Sequence, residues 1–161
     1  MAEHSHVEIG AADAFNPRNI SGTEPPHPNR RLRCVVVTPE RAVLDEVCDF
    51  VVVPLYDGEL GVLPNRSPFV GQLGPGELRI TTAGTVRRFF VDGGFVQVRA
   101  NVVNVLTPRA AAAADLTSAA AEQARAQAEA LPAANSAESA TRKRAIERAR
   151  GMAKVAAKGG A

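Results

Sequence analysis

From Arg31 to Pro108 apolar and polar residues alternate with a period of two, as in strands that bury one face. Leu32, Cys34 and Val36 fall on one side with Arg33 on the other. Leu78 and Ile80 alternate with Glu77, Arg79 and Thr81, and Val96 and Val98 alternate with Gln97 and Arg99. Turn signals separate these runs at Thr38-Pro39-Glu40, Asp57-Gly58, Gly74-Pro75-Gly76, Ala83-Gly84, Asp92-Gly93-Gly94 and Ala100-Asn101. About ten short strands so spaced, with no helical pattern among them, predict an N-terminal antiparallel β-sandwich over residues 31–109. The run Val47–Val53 barely alternates, so it is expected to be buried on both faces or covered by its neighbours.

After Arg109 the pattern changes. Residues 110–161 are alanine-rich and predict an antiparallel two-helix hairpin. Asp115 or Thr117 supplies a natural N-cap for the first helix, whose stripe is Leu116, Ala120, Ala124 and Leu131. Pro132 ends it, and Asn135 with Glu138 resembles a capping box for the second. There Ala145, Ile146, Ala149, Met152, Ala153 and Ala156 share one side. Alanine has one methyl to bury, against roughly 1.5–3 kcal/mol for a leucine, so the hairpin is expected to be loosely held. Gly151 weakens the second helix by about 1 kcal/mol relative to alanine.

Residues 1–30 show no apolar periodicity and end in Pro25-Pro26-His27-Pro28, which predicts a disordered extension in a cytoplasmic protein. Over the 161 residues, 45% are hydrophobic, enough for a core, and no apolar run approaches the roughly 20 residues of a membrane-spanning helix. Aromatics are 4% with no Trp, which argues against a stacking surface for nucleic acid. The formal net charge of +2 hides segregation: residues 132–161 carry seven Lys and Arg against Glu138 and Glu147. That excess reads either as a solvated helix face or as a surface for an acidic partner.

Catalytic chemistry is harder to find. All three histidines lie before residue 31, so the sandwich lacks a metal set and a nucleophile–base pair. No glycine-rich phosphate loop precedes a helix; Gly93-Gly94 reads as a tight turn or bulge. Asp45 with Glu46 and Asp57 with Glu59 read as turn and surface carboxylates, and Cys34 and Cys48 as buried structural thiols.

The string Val53-Pro54-Leu55-Tyr56-Asp57-Gly58-Glu59-Leu60-Gly61-Val62-Leu63-Pro64-Asn65-Arg66-Ser67-Pro68 closely resembles the signature of the epsilon subunit of rotary ATP synthases. The same family is resembled by Val37-Thr38-Pro39-Glu40-Arg41, Pro75-Gly76-Glu77-Leu78-Arg79, Val91-Asp92-Gly93-Gly94-Phe95 and Asn101-Val102-Val103-Asn104-Val105-Leu106, in that order. The match covers roughly residues 31–158.

This resemblance implies a noncatalytic rotor subunit of a proton-translocating ATP synthase, peripheral on the cytoplasmic face of a bacterium's energy-transducing inner membrane. Its implied partners are the gamma subunit, the c-subunit ring, and the catalytic beta subunits when the helices extend. No cofactor and no nucleic acid are implied, and the membrane is touched through the ring alone. The ring-contact loop maps onto Asp57, Glu59, Leu60 and Arg66, the last where relatives usually carry His. Arg142, Lys143, Arg144 and Arg148 map onto the contact with an acidic loop of the catalytic subunit, through which the extended helices would inhibit ATP hydrolysis. The nucleotide motif Asp-x-x-Arg-Ala of some relatives reads here Thr117-Ser118-Ala119-Ala120-Ala121, without the acid at Thr117 or the arginine at Ala120, which implies no nucleotide site. The alternative from a different class is a small β-sandwich binding a ligand or peptide, with a basic helical tail.

Overall fold

The computed structural model describes residues 31–159; the predicted extension over residues 1–30 lies outside them. The chain runs β1 (Leu32–Val37), β2 (Ala42–Cys48), β3 (Phe50–Leu55), β4 (Gly58–Val62), β5 (Phe69–Thr82), β6 (Thr85–Arg99), β7 (Val102–Leu106) and β8 (Ala110–Ala112). A 3-10 turn at Ala113–Asp115 leads into α1 (Ser118–Glu129) and α2 (Ser136–Gly159).

The strands form one sheet in the order β2-β1-β7-β6-β5-β3-β4, with β8 beside β6. β5 and β6 are long and serve both layers of the sandwich. Near β7 the pairing joins Phe69–Leu73 to Gly94–Val98; nearer β3 and β8 it joins Gly76–Thr82 to Thr85–Val91. Eight strands stand where about ten short ones are expected, because β5 and β6 each run through a glycine-rich bend as one long strand. Two further details differ from expectation. β1 pairs with β7 in parallel, so the sheet is mixed. β8 carries the sheet past Arg109 to Ala112, so the alanine-rich segment begins as a strand. Three alanines with no helical cap take the extended pairing that the β6 edge offers.

Gly74-Pro75-Gly76 and Asp92-Gly93-Gly94 are therefore bends within paired strands. The ladder between β3 and β5 jumps from Val52–Arg79 to Leu55–Leu73, so Pro75 sits where β3 asks for no amide hydrogen. Gly94 has φ +103, and a Cβ there would overlap the Leu106 carbonyl oxygen. Only glycine lets β6 turn this corner against β7.

The core between the layers holds Leu32, Val36, Val53, Leu78, Val91 and Val103 among others, with both cysteines fully buried. Burial pushes the Cys34 thiol far above the ordinary range and Cys48 up to about 11. The native protein is expected to leave both thiols unreacted with a disulfide reagent at about pH 8. Denaturation should release both; fast labelling of either in the native state would contradict this core.

In the layer nearest the helices, Glu77 pairs across from Phe90 and Arg79 from Arg88, while the intervening Leu78, Ile80, Phe89 and Val91 point into the core. Phe90 is still only 2% exposed, because Val155 of α2 and Ala113 cover it, with Leu116 and Met152 alongside. α2 also explains the poorly alternating run: Val51–Pro54 are all buried, and Pro54 lies under the helix. The hairpin is thus seated on a second small core containing Phe90 and Val155, beyond the alanine contacts the sequence suggests. Fully burying one such side chain contributes roughly 1.5–3 kcal/mol.

Local signals place the helices. The Thr117 hydroxyl caps α1 by accepting from the Ala120 amide at 3.1 Å. Asn135 Oδ1 accepts from the Glu138 amide, and Glu138 reaches back one residue further than a capping box would, to the Ala134 amide. The buried faces follow the predicted stripes in part: in α2 Ala149 and Ala156 are buried as expected and Ala145, Ile146 and Met152 half-buried, whereas in α1 Ala120 and Ala124 are only half-buried. In α1 the buried residues are Ala121 and Ala128; Leu131 lies beyond the helix end and is 36% exposed. In α2 they are Ala149, Gly151, Val155 and Ala156, whereas Ala153 is exposed. α2 packs on α1 and on the sheet, and one stripe cannot describe two contact faces.

Candidate functional site

Three surfaces carry the predicted functional residues or offer a place for a partner. The first is the β3–β4 turn and the loop after β4. Tyr56 and Asp57 form the turn, both exposed, and the Tyr56 amide donates to the Gln72 carbonyl. Glu59 is held by Arg79, whose Nη2 is 2.9 Å from Glu59 Oε2. Glu59, then Glu77, raises the Arg79 pKa by accepting its hydrogen bonds. Glu59 also lines a cavity of about 270 Å³ beneath α2, with Glu77, Arg150 and Lys154. Leu60 is half-buried, packed against the core. Arg66 is exposed and lies 5.8 Å over the Phe69 ring, and the neighbouring Asn65 amide donates to Asn101 at the β6–β7 turn. Among the described residues no hydrogen bond or ion pair joins Glu59 to Arg66. The four predicted loop residues therefore divide: Asp57 and Arg66 are exposed with no ion pair among the described residues, while Glu59 and Leu60 are engaged within the fold.

The second surface is the basic face of α2. Lys143 and Arg144 are exposed, with Arg144 Nε donating weakly to the Ala140 carbonyl at 3.4 Å. Arg142 is half-buried, and its Nε has no hydrogen-bond partner among the described residues. Arg148 is spoken for: its Nε lies 2.7 Å from Asp92 Oδ2 on the sandwich.

The third surface is one that alternation hides. Phe95 of β6 faces Leu106 of β7, which faces Val37 of β1. These three are 58%, 52% and 36% exposed, and Val70 is 68% exposed on β5, two residues from Gln72, the other partner of Phe95. They form an apolar row on the outer face of the layer away from the helices. The β pattern of apolar residues alternating with polar ones assigns one face to the core. An apolar residue on the other face, such as Phe95 between Gly94 and Val96, is the signal that could have revealed this row.

Among the described residues no group of three or more His, Cys, Asp or Glu could hold a metal ion. Thr117 and Ala120, where the nucleotide motif would carry its acid and its arginine, are joined in the cap of α1. No described helix is long and apolar enough to cross a membrane.

These features define a class: a β-sandwich with a docked helical hairpin, whose working parts are surfaces. Residues 31–113 match the family described as "ATP synthase, Delta/Epsilon chain, beta-sandwich domain". The ATP synthase epsilon chain of Rhodopirellula baltica is 47% identical over 121 residues, which are 75% of this chain and 94% of that one. That of Pelotomaculum thermopropionicum is 44% identical over 97 residues, 60% of this chain and 72% of the relative. A chain in the cryo-EM structure of the Euglena gracilis mitochondrial ATP synthase, OSCP/F1/c-ring, shares the fold, with a TM-score of 0.64 at 21% identity, covering 92% of this chain and 97% of that one. A chain of the Tetrahymena thermophila mitochondrial central stalk and c-ring does so with a TM-score of 0.60 at 16% identity, over 80% and 98%. The chain belongs to the ATP synthase delta/epsilon family.

Proposed function

We propose that this chain is a noncatalytic rotor subunit of the central stalk of a bacterial ATP synthase, peripheral on the cytoplasmic side of the inner membrane. The observation that carries this reading, given the family, is the exposed apolar row Phe95–Leu106–Val37 on a sandwich whose opposite face is already covered by α2. A small protein gains nothing by leaving such a row in water, and a partner gives it a use. The partner is the gamma subunit, with the Asp57 turn and Arg66 meeting polar loops of the c-subunit ring. The closely packed double-layered core suits a part that passes torque between ring and shaft, because packed interiors yield little to strain.

The hairpin is the regulatory element. Undocked, it presents Arg142, Lys143, Arg144 and Arg148 to an acidic loop on the catalytic beta subunits, where charge-assisted contacts replace the small second core. The tagged chain is expected to capture the stalk and ring subunits from detergent-solubilised membranes, and to show no ATPase activity alone. Complex assembled with a chain ending at Asp115 should hydrolyse ATP severalfold faster than the complete one. Capture of no synthase subunit would overturn the stalk reading; unchanged hydrolysis would overturn the inhibitory one.

A further inference from the structure

Arg148, Gly151, Val155 and Lys158 follow one another along α2 at spacings of three, four and three residues, which keeps them on the side turned to the sheet. Gly151 and Val155 make the apolar contact. The two cations flank it, and each meets an acid that the sandwich has withdrawn from solvent. Arg148 pairs at 2.7 Å with Asp92, whose side chain is 9% exposed. Lys158 Nζ lies 3.8 Å from Oε2 of Glu77, whose side chain is 6% exposed.

Both acids are held ready by the strands. Asp92 precedes the β6 bend, where its amide donates to the Thr107 hydroxyl at 3.1 Å and to the Arg109 carbonyl at 3.0 Å. Arg79 and Arg88 both bind Oε1 of Glu77, at 3.0 and 2.7 Å. Glu77 Oε2 is buried with no hydrogen bond among the described residues, and Lys158 pairs with the carboxylate from this side.

We infer that the Arg148–Asp92 and Lys158–Glu77 pairs form an ionic clasp that sets how often the hairpin leaves the sandwich, and that ionic strength tunes it. The second core around Phe90 and Val155 is small, so the two ion pairs contribute a sizeable share of the docking equilibrium. Pairs with one nearly buried partner are stronger than exposed ones, yet both cations remain about half exposed and within reach of salt. Arg150 and Lys154 share the cavity beneath α2 with Glu59 and Glu77, so the docked helix sets further cations beside the acids of the sandwich. On the rotor reading, Arg148 cannot serve Asp92 and an acidic partner at once, so clasp and partner contact exclude each other.

Hydrogen exchange on the isolated full-length chain tests this without any partner. Asp92→Asn and Arg148→Gln should each speed exchange of the α2 amides after Arg148 about tenfold at low salt, with β5, β6 and β7 unchanged. The double variant should be no faster than either single one, as expected of two residues in one pair. Raising sodium chloride from about 0.05 to 0.5 M should speed exchange in the wild type, and by less in the double variant, which keeps only the Lys158–Glu77 pair. If Asp92→Asn also loosens β6, Arg148→Gln alone decides. Unchanged α2 exchange in Arg148→Gln, or salt-independent exchange in the wild type, overturns the clasp. A confirmed clasp with no effect of Arg148→Gln on hydrolysis by assembled enzyme would instead remove Arg148 from the partner contact.

Discussion

Gly94→Ala is expected to cost the sandwich more than about 4 kcal/mol, most of what a domain of this size possesses. The methyl group would strike the Leu106 carbonyl and come within 3.0 Å of Thr107 Cα, backbone atoms of a paired strand that cannot rotate aside. The φ of +103 adds the strain of an L-residue in a region glycine tolerates. Gly84→Ala is the control: its φ is +79, but nothing lies within 4 Å of the added carbon, so only backbone strain of roughly 1–2 kcal/mol is expected. Urea unfolding of the two variants should separate clash from strain. Equal midpoints would show that the β6 corner is not as close to β7 as described.

Gly151→Leu should undock the hairpin and leave the sandwich folded. A Cβ at Gly151 would approach the Pro75 carbonyl oxygen at 2.8 Å and the Phe90 ring at 3.3 Å, so α2 touches the sheet backbone at this residue. Leucine raises the helix's intrinsic stability by nearly 1 kcal/mol over glycine, but it overpacks the seat by about 1–3 kcal/mol or more. Helicity by circular dichroism should hold while amide exchange after Arg148 rises up to about 100-fold, with strand protection unchanged. Retained protection in α2 would mean that the helix seats elsewhere.

Both glycines bear on what could be read from the chain. The alternation Leu78–Ile80 and Val96–Val98 identifies the strands because each side chain there meets a single environment. It fails at Gly74–Gly76 and Asp92–Gly94, where turn residues mark bends inside continuous ladders. Composition does not distinguish a chain that reverses from one that changes layer. Gly151 was legible as a weak point in a helix; its role as the point of closest approach depends on Pro75, distant in sequence. Thr117 and Asn135 were legible as caps because capping is local.

The site divides on the same principle. Arg66, Lys143 and Arg144 are exposed, as surface charges in loops and polar helix faces should be. Glu59 and Arg148 are tied to Arg79 and Asp92, pairings between elements that no local pattern announces. Phe95 is out of phase with Val96 and Val98, so parity sends it outward, but only the folded sheet sets it beside Leu106 and Val37.

The most direct test is the affinity of the purified chain for the purified gamma subunit of the same synthase, measured by calorimetry with wild type and Phe95→Asp. The expected result is a one-to-one complex that Phe95→Asp weakens at least about 100-fold, since a charge would replace the aromatic anchor of the row. No binding by the wild type, or equal binding by both, would contradict the assignment of this face to the stalk.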